Sequence, residues 1–173
     1  MLLRFLDTAD HFGFGTVIRV CGDNPFFDFE STLALLLSQN SNKYDYISYK
    51  VDQGKPSILS HLGFWGEIVK YDTLKRIISS TNKKIYLEHV TNYIYLHPEK
   101  FSIKLIDTPD GLGKRNDIRL TVDTKIDFEM NQMLYQQIIE QSIPFTPWEI
   151  VNFIDGHAEL KQIMKDQILI NSK

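Results

Sequence analysis

Residues 16–37 read TVIRVCGDNPFFDFESTLALLL, and the fold class is decided there. TVIRV (16–20) is β-branched and follows Gly15, so it reads as a short buried strand. CGDNP (21–25) gathers Gly, Asp, Asn and Pro and reads as a turn. Asp28 then stands where an N-cap would, ahead of a helix carrying Leu33, Leu36 and Leu37 and ending in the polar SQNSN (38–42). Strand, turn and helix in that order make half of a βαβ unit, and the chain on both sides continues the pattern.

Upstream, Leu2, Leu3, Phe5, Leu6, Ala9 and Phe12 form a helical stripe that stops at Gly13. Downstream, YDYISYKV (44–51) alternates like a strand, QGKPS (53–57) is a loop, and HLGFWGEIVKY (61–71) reads as another strand. Helices are expected over 73–79 and 84–96, and a strand over FSIKLI (101–106). TPDGLGKRND (108–117) reads as a mobile connection and IRLTV (118–122) as a further strand. Thr124 and Asp127 spell a capping box before a helix through Ile126, Met130, Met133, Leu134 and Ile138. PWEIVNFI and ELKQIMKDQI make 143–173 a helical tail folded back on the body. Alternating strands and helices predict an α/β sandwich with a mostly parallel sheet, and 1–173 reads as a single domain.

The 173 residues suffice for one hydrophobic core. Nineteen basic against 22 acidic side chains give a charge of -3, with no basic surplus to attract nucleic acid and no run of like charge. A single cysteine, Cys21, allows no internal disulfide and fits a reducing, cytoplasmic setting. MLLRFLDTADHF is acidic at positions 7 and 10, unlike a signal peptide. The apolar run Leu33–Leu37 is too short to cross a bilayer.

Ligands of open α/β sheets bind beyond the carboxyl ends of the strands. Asp23 follows TVIRV and Asp123 follows IRLTV. Two strand-end carboxylates converging there would suit Mg²⁺, a hard cation that takes oxygen ligands. Each aspartate also fits the humbler task of a cap or turn former.

At these residues the chain resembles a known family. VIRVCGDNPFFD (17–28) is similar to the central motif of the SpsF-type cytidylyltransferases, related to the CMP-sialate and CMP-Kdo synthetases. GFWGEIVKYDTLKRI (63–77), EHVTNYIYLHPEKFSI (88–103) and IRLTVDTKIDFEM (118–130) resemble three further segments of it, in order. The resemblance implies a three-layer nucleotide-diphospho-sugar transferase-like (glycosyltransferase-A-like) α/β fold with a mixed, mostly parallel sheet. It also implies transfer of CMP from CTP to a sugar or sugar acid for surface polysaccharide. Asp23 and Asp123 match the acids that hold Mg²⁺ in the family, and Arg19, Glu67, Glu88, His89 and Arg119 become candidates to shape the substrate site. Glu88 and His89 form an adjacent acid and imidazole suited to polarising a sugar hydroxyl. For Arg19 and Arg119 a salt bridge beneath the site is the expected role.

The family's opening strand and its Gly-, Ser-, Arg- and Lys-bearing triphosphate loop have no counterpart in this chain, so an N-terminally incomplete fold is expected. DGLGK (110–114) lacks the glycine spacing and the Ser/Thr of a phosphate loop. Lys125 stands where the family has Pro. Two readings stay open: an enzyme that works as a homodimer or with a chain supplying the segment, or a non-catalytic relative acting as scaffold or partner subunit. A sugar-transferring enzyme of the same broad fold would carry an Asp-x-Asp loop, and Asp123 and Asp127 are too far apart for one.

Overall fold

The computed structural model describes residues 1–38 and 43–171, so all of SQNSN except Ser38 lies outside the described residues. In chain order the elements are α1 (Leu2–Phe12), β1 (Thr16–Arg19), α2 (Phe29–Leu37), β2 (Tyr46–Val51), β3 (Lys55–Pro56) and β4 (Glu67–Lys70). There follow α3 (Tyr71–Ser80), α4 (Lys84–Glu88), α5 (Asn92–Leu96), β5 (Ile103–Asp107), α6 (Lys125–Glu140), α7 (Pro147–Asp155) and α8 (Ala158–Ile170). Gly13 ends α1 with φ 68°, a left-handed cap that costs glycine nothing. Asp28 caps α2 by accepting the Ser31 N–H at 3.2 Å.

Across the sheet the order is β1-β4-β2, with β3 continuing on one side of β2 and β5 on its other side. β4 runs antiparallel to both β1 and β2, so β1 and β2 point the same way. The βαβ unit read around α2 is therefore real in direction, but β4 is inserted between its two strands. The sheet is mixed, as expected. Its parallel share is smaller than expected, because among the described strands only β2 and β5 pair in parallel. β1, β2 and β5 all end at one rim of the sheet, and β4 begins there.

Strand alternation splits the core into two layers. Ile47, Tyr49, Val51 and Ile68 face a cluster built with α2, α6, α7 and α8. Tyr46 and Val69 face a cluster built with α1, α3, α4 and α5. The segment 147–170 is part of the first layer, since Ile150, Val151, Ile154, Leu160 and Met164 are all buried in it.

Four sequence expectations need correction. IRLTV is extended but joins no ladder: Leu120 and Thr121 donate to the His61 carbonyl and Val122 to that of Asp23, both of which lie in loops. Helix 84–96 breaks into α4 and α5, because Val90 and Thr91 turn inward and are buried. TPDGLGKRND is held firmly. It forms two 3₁₀ turns meeting at a kink, and a Cβ on Gly113 would lie 2.6 Å from the Lys50 carbonyl. The strand expected over 61–71 is confined to β4, since Gly63 takes φ +67° and Gly66 passes close beneath the Arg19 carbonyl.

Candidate functional site

At the rim where β1 ends, the turn Cys21–Asn24 carries Asp23, held by an Asn24 N–H to the Cys21 carbonyl at 3.3 Å. The Val122 N–H donates to the Asp23 carbonyl at 2.9 Å, which lays the 118–123 segment beside that turn. Asp23 and Asp123, far apart in sequence, thus stand on backbones bonded to each other. Gly63 is wedged in the same place, with the Asn24 and Thr121 side chains 3.3 Å from where its Cβ would be.

Asp123 is 39% exposed at its side chain. Its Oδ2 accepts from Arg119 Nη2 at 3.0 Å and from the Thr121 hydroxyl at 3.2 Å. Arg119 is fully buried. It donates through Nε and Nη2 to the two oxygens of Asp127, each at 2.7 Å, in a bidentate fork. Its Nη1 lies 2.6 Å from His61 Nδ1. A guanidinium can only donate, so Nδ1 of His61 accepts there. Burial alone would raise the Asp127 carboxyl, but Arg119 and the N–H groups of Asp123 and Thr124 outweigh it and bring it down to about 2. The same Asp127 completes the capping box of α6 with Thr124, so Arg119 fastens the helix start to the Asp123 loop.

A second buried cluster lies on the sheet face toward α4 and α5. Glu67 is inaccessible and accepts from Arg19 Nη1 at 2.7 Å and from the Thr91 hydroxyl at 3.0 Å. The Tyr46 hydroxyl also donates to it. Burial, with Glu67 beside it, pushes the Tyr46 hydroxyl well above its ordinary value. Arg19 and Glu67 are therefore a fixed pair under the rim, the role expected of Arg19.

The sequence candidates consequently divide. Asp23, Asp123 and Arg119 are brought together, and Arg19 and Glu67 form the adjoining cluster. Glu88 is exposed at the end of α4, 3.7 Å from Lys84, and His89 is exposed as the C-cap of that helix. That segment reaches the buried cluster through Thr91 instead, which sequence reasoning missed along with Tyr46, His61 and Asp127. Asp127 alone had a signal, its capping-box position, but its salt bridge to Arg119 requires the two to meet in space.

Among the described residues no three His, Cys, Asp or Glu side chains group closely enough to hold a metal by themselves. The two carboxylates suit a cation that keeps most of its waters and shares substrate phosphates, which is how Mg²⁺ is usually bound. Among the described residues no helix is long and apolar enough to cross a membrane.

Comparison with known proteins bears on the family and the fold. The cytidylyltransferase family model matches residues 2–143. This chain belongs to the cytidylyltransferase family. It is 31% identical over 144 residues to the spore coat polysaccharide biosynthesis protein SpsF of Bacillus subtilis, covering 82% of this chain and 55% of that protein. It is 29% identical over 163 residues to an uncharacterised protein of Methanocaldococcus jannaschii, covering 94% of this chain and 63% of the other. A cytidylyltransferase structure from Leptospira borgpetersenii superposes with a TM-score of 0.76 at 19% identity, over 93% of this chain and 64% of that one. The fold is thus the nucleotide-diphospho-sugar transferase-like one. The chain spans under two thirds of the length of each of these three proteins.

Proposed function

We propose that this chain forms the sugar-side part of a cytidylyltransferase that activates a sugar for polysaccharide synthesis. In that reaction a sugar hydroxyl oxygen bonds to the α-phosphorus of CTP, the α–β phosphoanhydride bond breaks, and pyrophosphate leaves with the hydroxyl proton lost to base or solvent. The supporting observation is the Val122–Asp23 backbone bond, which joins at the rim the two backbone segments that carry these carboxylates. Asp23 and Asp123 would hold Mg²⁺, which would neutralise phosphate charge there. Arg119, Arg19 and Glu67 hold the rim in shape, and Glu88 and His89, exposed three and two residues before Thr91, would face the sugar. The test is Mg²⁺-dependent pyrophosphate release from CTP and sugar acids by the longest natural form of the protein. Asp23→Asn and Asp123→Asn should each lower turnover at least about 100-fold, the scale of losing one electrostatic contact to the transition state. Normal turnover in both variants would refute the assignment.

A second reading, a non-catalytic scaffold, draws on the Asp123 side chain being shared with Arg119. Calorimetry of this chain with CTP and Mg²⁺ separates the two: no heat at millimolar nucleotide favours the scaffold.

A partner segment belongs to the same proposal. Among the described strands β1 pairs on one side only, with β4. Beside its other edge lies a groove of about 670 Å³ lined by Phe5, Ala9, Phe14 and Val17, with Phe12 and Ile18 also exposed nearby. Unprotected apolar edges recruit another strand, and the relatives carry additional chain. A strand-bearing segment, in a longer protein or in a second chain, covers this edge. Light scattering on the isolated chain should find self-association that Ile18→Lys abolishes; a parent that stays monomeric at high concentration counts against it.

A further inference from the structure

Trp65 is 3% exposed, and its indole Nε1–H is buried without a protein partner. Asp23 Oδ1 is buried and unpartnered as well. Both residues line one cavity of about 20 Å³, together with Asn24, Ser57, Ser60 and Thr121. The two orphans are chemically complementary. An indole N–H can only donate and an ionised carboxylate can only accept. Leaving either unmet is costly, because a buried polar group has given up its hydrogen bonds to water. The ring is held where it is by Tyr49 at 5.2 Å and Phe64 at 5.6 Å between centroids, so it does not swing away to solvent.

A cavity needs roughly 10–15 Å³ of such space to hold a water, and a water needs two to four polar partners. This one has room for a single water, and its lining residues include one with an unmet donor and one with an unmet acceptor.

We propose that this cavity is a structural-water site in which one water accepts from Trp65 Nε1–H and donates to Asp23 Oδ1. Trp65 is then a positioning residue for Asp23. With Oδ1 anchored to the core, Oδ2 is the oxygen that serves a ligand at the rim. The water site stands on the geometry alone; its consequence for metal binding rests on the proposed function.

The experiment is proton–nitrogen NMR on the metal-free chain. Trp65 and Trp148 provide the two indole signals, and Trp148 is 44% exposed, so the pair is readily told apart. The Trp65 indole proton should show a cross-peak to a long-lived water, and Asp23→Ala should remove that cross-peak while leaving the Trp148 signal in place. Absence of the cross-peak in the parent, or its survival unchanged in Asp23→Ala, overturns the proposal. A shift of the indole signal without any water cross-peak does so too, because it means a direct Trp65–Asp23 bond. As a second readout, Trp65→Phe should weaken Mg²⁺ or Mn²⁺ binding about 10-fold or more, as loss of a group that orients a metal ligand does, with Tyr49→Phe as a control that leaves the indole in place. Equal affinities in the parent and Trp65→Phe overturn the positioning role. If the parent binds no metal, the proposed function fails while the NMR result still decides the water site.

Discussion

Arg19 and Glu67 are register partners in the antiparallel β1–β4 pair, and their side chains meet at 2.7 Å over a carboxylate that is fully buried. Directly opposed residues on one sheet face are the natural place for such a pair. Removing one member leaves a buried charge uncompensated, so Glu67→Ala should lose about 3–5 kcal/mol of unfolding free energy. Thr91→Val, which keeps the shape and removes one donor to Glu67, should lose about 1–3 kcal/mol. Urea unfolding followed by circular dichroism measures both. A midpoint unchanged in Glu67→Ala would show that the cluster contributes no stability.

Gly113 sits against the Lys50 carbonyl, and its N–H donates to the Thr108 hydroxyl at 2.6 Å. A methyl group there must displace backbone, so Gly113→Ala should cost about 1–3 kcal/mol as an overpacking change. A methyl group on Gly22 would meet nothing within 4 Å, and Gly22→Ala should be close to neutral. Equal stability of the two variants in thermal unfolding contradicts the close packing of 108–114.

Acid should destabilise the protein through Asp45 and Asp155. Burial works to raise the Asp45 carboxyl, but the Ser102 N–H, Arg76 and Thr73 outweigh it and hold it below its usual value. Hydrogen bonds from Arg115 and Lys161 hold Asp155 at about 2. Unfolded aspartate titrates at about 3.9. A depressed folded value means that both contributions are fully present above that pH and fade as it falls toward the folded value. Urea midpoints should therefore drop steeply from about pH 5 to about 2.5, and Asp45→Asn should flatten that slope. Asp155 is 39% exposed at its side chain, so its share should shrink in high salt.

The C-terminal helices are tested by Met164→Ala. Met164 is fully buried in the layer shared with Ile47 and Ile68. Truncating it should cost about 2–5 kcal/mol in a single unfolding transition. A separate, earlier transition lost by this variant would instead mark 147–170 as a unit packed loosely on the rest.

Local chemistry explains what was readable beforehand. The Gly13 stop, the Asp28 cap and the Thr124–Asp127 capping box each need only residues three or four apart to see one another. The periodicities of α1, α6 and α8 are likewise properties of short windows. IRLTV departs from expectation for the opposite reason. Its composition suits a strand, but a ladder requires a partner strand, and the groups it meets are the loop carbonyls of His61 and Asp23. The single helix expected over 84–96 fails similarly, since Thr91 is drawn inward by Glu67, which is distant in sequence.

By itself, then, the order of residues determined most of the helices, the Gly13, Asp28 and Thr124–Asp127 caps, the α/β class and the family. It also determined that Asp23 and Asp123 each close an extended segment. Only the tertiary structure decided that β4 runs between β1 and β2, that Arg19 finds Glu67, and that the Val122 N–H finds the Asp23 carbonyl. The reason is range. Helix periodicity and capping act over one turn of chain, whereas strand insertion and buried ion pairs depend on groups far apart in sequence meeting at hydrogen-bond distance.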